Sequence, residues 1–290
     1  MHHALLEGFL QQSRARRFIL DAVVISSAKF FLVLAFALTA VLLKTIDGRG
    51  FLASAGVGFA VIYGGGFSWF VIVAVFFALG VGFTLYKYGY KRELGAAQEK
   101  GGARNWPNIL ANGGAASAFA ILSFSGPRLA LSIMFLGAIS TAAADTVATE
   151  LGLLSKGKPR LIIDPRLTVQ PGTSGGVTPL GLLGAGFASL VIGCMALFLG
   201  IGPADVVVVP VCVAGGVLGA CFDSLLGAGV QRKGYCIVCM KPTEALKHCG
   251  EPTRVSSGVV FVENNVVNVL ATAVGAVVAL GLLLVLIPTA

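Results

Sequence analysis

The stretch LSIMFLGAISTAAADTVATE at residues 131–150 decides the fold, because it combines a membrane-spanning composition with two carboxylates. Its apolar part runs from 131 to 144, and Asp145 and Glu150 follow. An ionised Asp in the middle of a bilayer costs roughly 2.5–3.5 kcal/mol on insertion scales. Asp145 therefore indicates a water-filled cavity in which a bound cation compensates its charge.

The composition of the whole chain is that of a membrane protein. Of its 290 residues, 56% are apolar and 12% are charged, whereas a soluble domain carries about 25% charged residues. Apolar stretches that suit a bilayer crossing recur along the sequence. We predict an all-α, polytopic helical bundle that forms a single domain over residues 1–290. Its seven or eight spans are drawn from 18–43, 51–64, 67–86, 107–124, 128–149, 177–200, 204–227 and 262–287.

The charges of the connecting loops predict an orientation in the membrane. Several Lys or Arg residues occur in each of the stretches 44–50, 87–106, 150–176 and 228–261. The positive-inside rule places these loops in the cytoplasm. Arg14, Arg16 and Arg17 also favour the cytoplasm, which conflicts with an alternating count of eight spans unless residues 11–25 form a surface helix or the short second span does not cross. The net charge of +8 lies mainly in loops, which indicates contact with membrane lipids and nucleotides but no nucleic acid.

Two carboxylates inside predicted spans, Asp145 and Asp223, are candidate Mg²⁺ ligands. Mg²⁺ prefers hard oxygen ligands and binds through a few carboxylates together with substrate phosphates. Glu150 lies about 140° from Asp145 on an ideal helix, so the two cannot share a metal on one regular helix. We expect Glu150 to contact a phosphate or a cation separately. The alternative for both aspartates is hydrogen bonding within or between helices.

The loop between 156 and 176 has the composition of a phosphate-binding segment. It carries several cations and ends in the turn GTSGG at 172–176, ahead of an apolar span. Backbone N–H groups at such a turn can form an anion-binding nest, although the Gly-Lys-Ser/Thr ending of a Walker A loop is missing. The predicted nucleotide- and phosphate-binding residues are Lys156, Lys158, Arg160, Gly172, Thr173, Ser174, Gly175, Gly176, Glu150 and Arg232.

Asparagines mark the beginnings of two predicted spans. Asn108 and Asn112 are four residues apart, as are Asn264 and Asn268, so each pair shares one helix face. We predict that these four residues and Asn265 bind the phosphate acceptor. The alternative is that they form hydrogen bonds between helices.

The loop at 228–261 contains a cluster of cysteines with one histidine. Cys236, Cys239, His248 and Cys249 have the spacing of a compact zinc knuckle. We predict a structural Zn²⁺ here, because four ligands leave no open coordination position. A redox or disulfide pair and plain cytoplasmic thiols stay open as alternatives.

Five motifs follow one another along the chain: RNWPNILANGG (104–114), AADTVATE (143–150), GTSGGVTPLG (172–181), DSLLGA (223–228) and NNVVN (264–268). In this order they resemble the integral-membrane family that contains plant phytyl-phosphate kinase and the transmembrane-protein-19-like proteins. That family is more distantly similar to dolichol kinase and CDP-diacylglycerol synthase. The resemblance implies that Asp145 and Asp223 bind a metal, that residues 172–176 contact phosphate, and that the substrate is a prenyl phosphate.

We therefore expect a Mg²⁺-dependent kinase that uses CTP or ATP to convert a polyprenyl monophosphate, such as phytyl phosphate, to its diphosphate. All three histidines fall outside the predicted spans, and phosphoryl transfer to a phosphate oxygen requires no general base. A lipid-phosphate cytidylyltransferase is one alternative, although the Ser-Pro-Lys-Thr motif of the synthase loop is missing. An ion- or proton-coupled transporter is another. A homo-oligomer is compatible with the sequence.

Overall fold

A computed structural model describes residues 24–98, 100–203, 205–240 and 242–287. Predictions that concern residues 1–23, including the three arginines at 14–17 and the beginning of the first span, fall outside this part. The helices of the described chain are α1 (Val24–Leu42), α2 (Gly48–Gly64), α3 (Phe67–Leu85), α4 (Tyr88–Glu93), α5 (Trp106–Leu122), α6 (Arg128–Gly152), α7 (Pro179–Phe198), α8 (Val208–Gly229) and α9 (Asn264–Leu286).

Six of these helices, α1, α3, α6, α7, α8 and α9, are long and apolar enough to cross a membrane. The predicted class of a polytopic helical bundle is confirmed, but the expected seven or eight spans exceed this number. The difference lies in α2 and α5, which have 17 residues each. At 1.5 Å per residue such a helix is only about 25 Å long, against a hydrocarbon core of about 30 Å.

Helix α6 lies at the centre of the bundle and packs against α3, α5, α7, α8 and α9. Glycines permit the closest approach: a Cβ atom on Gly137 of α6 would lie 2.6 Å from the carbonyl oxygen of Gly275. At the same level Thr141 donates to the carbonyl oxygens of Gly137 (2.9 Å) and Gly215 (3.0 Å). Thr141 therefore stabilises the crossing of α6 and α8, and the small residues explain how α6 acquires so many neighbours.

The longest connections between helices, at 86–105 (with α4), 153–178 and 230–263, all lie at one end of the bundle. Residues 65–66 connect α2 to α3, and residues 123–127 connect α5 to α6. Short connections join antiparallel neighbours, so the long charged loops collect at the opposite end. We call this the charged-loop end. The C-termini of α6 and α8 and the N-termini of α7 and α9 lie there.

Two of the charged loops contain short antiparallel strands that the all-α prediction lacked. In the first loop, β1 (Arg160–Leu161), β2 (Asp164–Thr168) and β3 (Gly176–Val177) form a sheet in the order β2-β1-β3. In the second, β4 (Lys233–Tyr235), β5 (Pro242–Thr243) and β8 (Arg254–Ser257) form a sheet in the order β5-β4-β8, while β6 (Lys247–His248) pairs with β7 (Glu251–Pro252).

Candidate functional site

A cavity of about 340 Å³ opens at the charged-loop end, where α6, α7, α8 and α9 meet. Asp145 on α6 and Asp223 on α8 both line it, together with the hydroxyl-bearing residues Thr149 and Ser224. The two predicted metal ligands thus share one space, although α7 and the loop 153–178 separate them in sequence. Carboxylate and hydroxyl oxygens are the donors that suit Mg²⁺.

Both carboxylates lie near one end of the bundle. Asp145 and Asp223 each precede the C-terminus of their helix by roughly two turns, or about 10 Å along the helix axis. The cavity continues from them to the loop residues Gly172 and Ala96. This depth is typical of a site that opens toward one end, and it differs from a site halfway along a span.

Buried amides hold Asp223 in place. We orient the side-chain amide of Asn268 so that both its nitrogen and its oxygen are hydrogen-bonded. Its nitrogen then donates to Asp223 Oδ2 (3.1 Å) and to the carbonyl oxygen of Asn264 (3.1 Å). Its oxygen accepts from Asn112 Nδ2 (3.1 Å). Asn112 also donates to the carbonyl oxygen of Asn108 at 2.9 Å. Asn112 and Asn268 are buried, so they act behind Asp223 and orient its carboxylate.

The five asparagines that we predict to bind the acceptor therefore differ in their positions relative to the cavity. Asn264 lines the cavity, whereas Asn108 and Asn265 do not. The reason is local: Asn108 lies in the first turn of α5, where its backbone N–H donates to the side chain of Asn105 (3.0 Å). Asn268 contacts the site through its hydrogen bond to Asp223, and Asn112 acts through Asn268. Direct contact with a ligand in the cavity remains a prediction for Asn264 alone.

All five residues of the turn 172–176 line the cavity. Gly172 and Gly175 have φ values of +85° and +80°, which L side chains rarely adopt. Gly175 also packs against the end of α8, since a Cβ atom on it would lie 2.5 Å from Ala228 Cβ. Gly176 is different: it belongs to β3 and its φ is not positive.

The first turn of α7 lines the same cavity as the turn 172–176. Thr178 caps the helix by accepting from the backbone N–H of Gly181 (3.0 Å), and Pro179 occupies the first turn. Thr178, Gly181 and Leu182 line the cavity. A helix N-terminus attracts anions through its unpaired N–H groups and its dipole. The turn and the start of α7 therefore border the same space, and the N–H groups of Thr173, Gly176 and Gly181 are already paired within the chain.

The three predicted cations of this loop, Lys156, Lys158 and Arg160, do not line the cavity and are exposed. The small sheet directs Arg160 outward, where its guanidinium donates to the carbonyl oxygen of Pro165 (2.7 Å). Lys158 borders a separate shallow pocket beside Thr173. These cations do not face the cavity in this structure, and their contact with phosphates stays a prediction.

The charges that the described residues bring to the cavity are all negative. A third carboxylate, Glu244, joins Asp145 and Asp223 in its lining, and no Lys or Arg of the described chain does. Glu244 accepts a hydrogen bond from Ser174 Oγ and another from Gln231 Nε2 (2.9 Å). Sequence reasoning missed Glu244, because no motif surrounds it and it lies in the Cys/His loop.

Glu150 does not line the cavity; it contacts a cation of the protein itself, which agrees with the expected cation contact and not with the expected phosphate contact. It is only 3% exposed and pairs with Lys91 of α4, whose Nζ lies 2.5 Å from Glu150 Oε2 and is fully buried. Thr84 Oγ1 donates to the other carboxylate oxygen at 3.0 Å, and Lys91 also donates to the carbonyl oxygens of Phe83 and Thr84. The rotation of about 140° along α6 turns Glu150 away from Asp145 and toward α3.

Arg232 does not line the cavity, and its predicted contact with phosphate has no support from its position. Its buried guanidinium donates to Thr253 Oγ1 (2.8 Å) and to the Thr253 carbonyl (3.3 Å). It therefore stabilises the loop that follows α8. The spacing of charges in the sequence could not reveal this burial.

In the same loop, the four predicted zinc ligands come together. The ligand atoms of Cys236, Cys239, His248 and Cys249 all lie within 4.8 Å of one another. His248 Nδ1 lies 3.4 Å from Cys239 Sγ and 3.2 Å from Cys249 Sγ. The cluster can thus hold a metal, and zinc binding stays a prediction.

These features define a class: a polytopic helical membrane protein with an acidic cavity at the charged-loop end of the bundle. The particular family follows from sequence comparison. The model of the family described as "Integral membrane protein DUF92" matches residues 31–276, and the chain belongs to this family.

Several relatives are known by sequence. The chain is 35% identical to "Uncharacterized membrane protein MJ0933" of Methanocaldococcus jannaschii over 66% of this chain and 77% of that protein. It is 31% identical to "Protein PGR" of Arabidopsis thaliana over 78% and 84%. It is 28% identical to "Protein VTE6, chloroplastic" of the same plant over 73% and 57%. No solved structure matches significantly. The suspected phytyl-phosphate-kinase-like family is thereby confirmed.

Proposed function

We propose that this protein is a Mg²⁺-dependent kinase that transfers a phosphoryl group from a nucleoside triphosphate to a polyprenyl monophosphate. One observation carries the proposal: Asp145 and Asp223 line a single cavity together with the glycine turn 172–176 and the N-terminus of α7. Phosphoryl transfer depends on positioning and charge stabilisation more than on covalent chemistry, and these elements supply both.

The acidic lining supports a metal-bound nucleotide. Triphosphate would be repelled by Asp145, Asp223 and Glu244 unless cations accompany it. Mg²⁺ held by Asp145 and Asp223 would neutralise the phosphate oxygens and align them. The remaining backbone N–H groups of the turn 172–176 and of the first turn of α7 would bind the same phosphates.

The reaction requires no proton acceptor from the protein. An oxygen of the prenyl monophosphate attacks the terminal phosphorus of the nucleotide, the bond to the bridging oxygen breaks, and the nucleoside diphosphate leaves with that oxygen. The acceptor oxygen is already ionised near neutral pH, which agrees with a cavity that none of the histidines in the described chain lines. Asn264, at the start of α9, is the amide available to orient the acceptor.

The membrane-side wall of the cavity suits a prenyl chain. It is lined by Ala185 and Leu182 of α7 and by Val217 and Ala220 of α8. Ala144, Ala185 and Ala220 form a small apolar cluster below the carboxylates. A lipid whose phosphate lies beside Asp223 could extend its chain along these residues. By the positive-inside rule, we place the open end of the cavity in the cytoplasm.

The direct test supplies the purified protein with Mg²⁺, CTP or ATP, and phytyl phosphate, and measures the prenyl diphosphate by mass spectrometry. We expect diphosphate and nucleoside diphosphate in equal amounts. Asp145→Asn and Asp223→Asn should each lower the rate by at least about a thousandfold, because a bound metal contributes several kcal/mol. Asp205→Asn, at the opposite end of the bundle, is the matched control and should retain activity.

Other products would identify the alternatives. Release of pyrophosphate with a cytidylylated lipid would show a cytidylyltransferase. Metal-dependent cation flux through proteoliposomes, without any product from a prenyl phosphate, would favour a transporter, for which the acidic lining is also suitable. Full activity in both aspartate variants would exclude the proposed metal ligands.

A further inference from the structure

The Cys/His cluster has the geometry of a tetrahedral zinc site. With Zn–S of about 2.3 Å and Zn–N of about 2.0–2.1 Å, tetrahedral ligands place sulfur and nitrogen roughly 3.6 Å apart. The distances from His248 Nδ1 to Cys239 Sγ and Cys249 Sγ are 3.4 Å and 3.2 Å. Cys236 Sγ, the buried member, lies within 4.8 Å of the other ligand atoms. The two sulfur–nitrogen distances differ from the tetrahedral value by only a few tenths of an ångström.

The chemistry of the cluster also suits a metal. Three thiols and one imidazole are a common donor set for structural zinc, and the thiolate is the form of cysteine that binds it. The ligand atoms of the four residues lie close together, so one divalent cation would stabilise all of them.

The hairpins next to the cluster are short, although the sheet of β4, β5 and β8 and the buried Arg232 stabilise the base of the loop. Its strands β5, β6 and β7 have two residues each, and Ile237, Val238, Met240 and Leu246 are exposed. All of its cysteines are free. Cys249 takes a positive φ of 52° in the turn between β6 and β7, a conformation that costs a non-glycine residue about 1 kcal/mol or more. Small segments of this kind commonly depend on a metal.

The same loop carries Glu244 to the cavity. Its carboxylate accepts from Ser174 in the phosphate turn and from Gln231 at the end of α8. Behind it, Thr253 donates to the carbonyl oxygen of Ala245 (2.7 Å) and accepts from Arg232. Glu244 lies between Cys239 and His248 in sequence and directly follows β5, which pairs with β4, so the metal ligands flank the segment that carries Glu244.

We propose that Cys236, Cys239, His248 and Cys249 bind one Zn²⁺, and that the zinc-bound loop closes one wall of the cavity by holding Glu244 against Ser174. Loss of zinc releases Glu244 and opens the cavity to solvent. The zinc site and its closing role do not depend on which reaction takes place in the cavity. The experiments below therefore test them independently of the proposed kinase activity.

The first experiment measures metal in the full-length chain. Purified protein should contain about one zinc per chain by elemental analysis, as four ligands at one site require. Cobalt exchange should produce thiolate-to-cobalt charge transfer and tetrahedral d–d bands. Cys236→Ser and Cys239→Ser should lose the zinc and these bands, whereas Cys194→Ser, on α7, should retain both. Absence of zinc from the parent protein, or its retention in both loop variants, would overturn the site.

The second experiment uses Cys221, which lines the cavity and is partly buried. Its labelling by a water-soluble maleimide is measured by peptide mass spectrometry. Glu244→Ala should keep its zinc. Its Cys221 should be labelled about tenfold faster than Cys221 of the parent, as expected for loss of the two hydrogen bonds of Glu244. The parent protein depleted of zinc should show the same faster labelling. Glu251→Ala, on the exposed hairpin, should label like the parent. Equal labelling in every sample would overturn the closing role.

Discussion

Two carboxylates on α6, Asp145 and Glu150, lie less than two helical turns apart in opposite electrostatic surroundings. Glu150 is buried against α3 and α4 and has a cation of its own, the fully buried Lys91. Asp145 faces a cavity whose described lining adds two further carboxylates and no Lys or Arg. The pair around Glu150 is internally neutral, whereas the described lining of the cavity around Asp145 is acidic and is balanced by a bound cation or by protonation of its carboxyl groups. The difference separates a buried, paired acid from the acid that we propose binds the metal.

The largest expected effect contrasts these two acids in stability. Glu150→Gln leaves the Lys91 charge buried without its partner, so we expect a loss of about 3–5 kcal/mol and a melting temperature lower by on the order of 10 °C. Asp145→Asn should leave the melting temperature unchanged or raise it, because it removes a charge from an acidic cavity. Thermal denaturation in detergent measures both.

The double variant Lys91→Met/Glu150→Gln sharpens this contrast. It removes both charges at once and should recover most of the stability, because a buried ion pair contributes little compared with apolar groups of similar size. Its folded fraction should keep kinase activity. Equal stability losses in Glu150→Gln and Asp145→Asn would show that the two acids do not differ in the way proposed.

The next effect concerns the support of Asp223. Asn268→Leu removes the donor to Asp223 Oδ2 and the link to Asn112. Residues behind a metal ligand typically change metal affinity by about 10–100-fold, so the Mg²⁺ concentration for half-maximal activity should rise by that factor, with a smaller change in kcat at saturating Mg²⁺. Thr272→Val, one turn further along α9 and away from the cavity, is the control. A fall in kcat alone would contradict a positioning role.

Most of the fold and the centre of the site could be predicted from the sequence. Polar residues inside apolar spans must reach a partner or a cavity, so Asp145, Asp223 and the turn 172–176 could be expected to converge. The partner of Glu150 could not be expected, because Lys91 belongs to a charged loop and resembles a surface cation until α4 folds it inward. The position of Glu244 could not be predicted either, because only the fold of its loop brings it to Ser174.

A further prediction tests the backbone of the phosphate turn. Gly175→Ala places a Cβ 2.5 Å from Ala228 at a φ of +80°, and such strain costs about 1–3 kcal/mol. The turn should move off the end of α8, which weakens nucleotide binding with little effect on the Glu150 region. Gly157→Ala, in the same loop but with open space around its Cα, is the matched control. Unchanged nucleotide affinity in Gly175→Ala would show that the turn is not part of the nucleotide-binding site.

The smallest effect is expected for the exposed cations. Lys156→Ala and Lys158→Ala remove charges that lie near the site in sequence but outside the cavity lining. Exposed charges contribute about 0–1 kcal/mol and act at a distance that salt screens. We therefore expect a small rise in KM for the nucleotide at low ionic strength, and parental kinetics at 0.15 M salt, where the Debye length is about 8 Å. A large loss of kcat that persists in salt would mean that these lysines reach the phosphates when substrate binds. The acidic cavity would then acquire its own cations, and the contrast between Asp145 and Glu150 would lose its electrostatic basis.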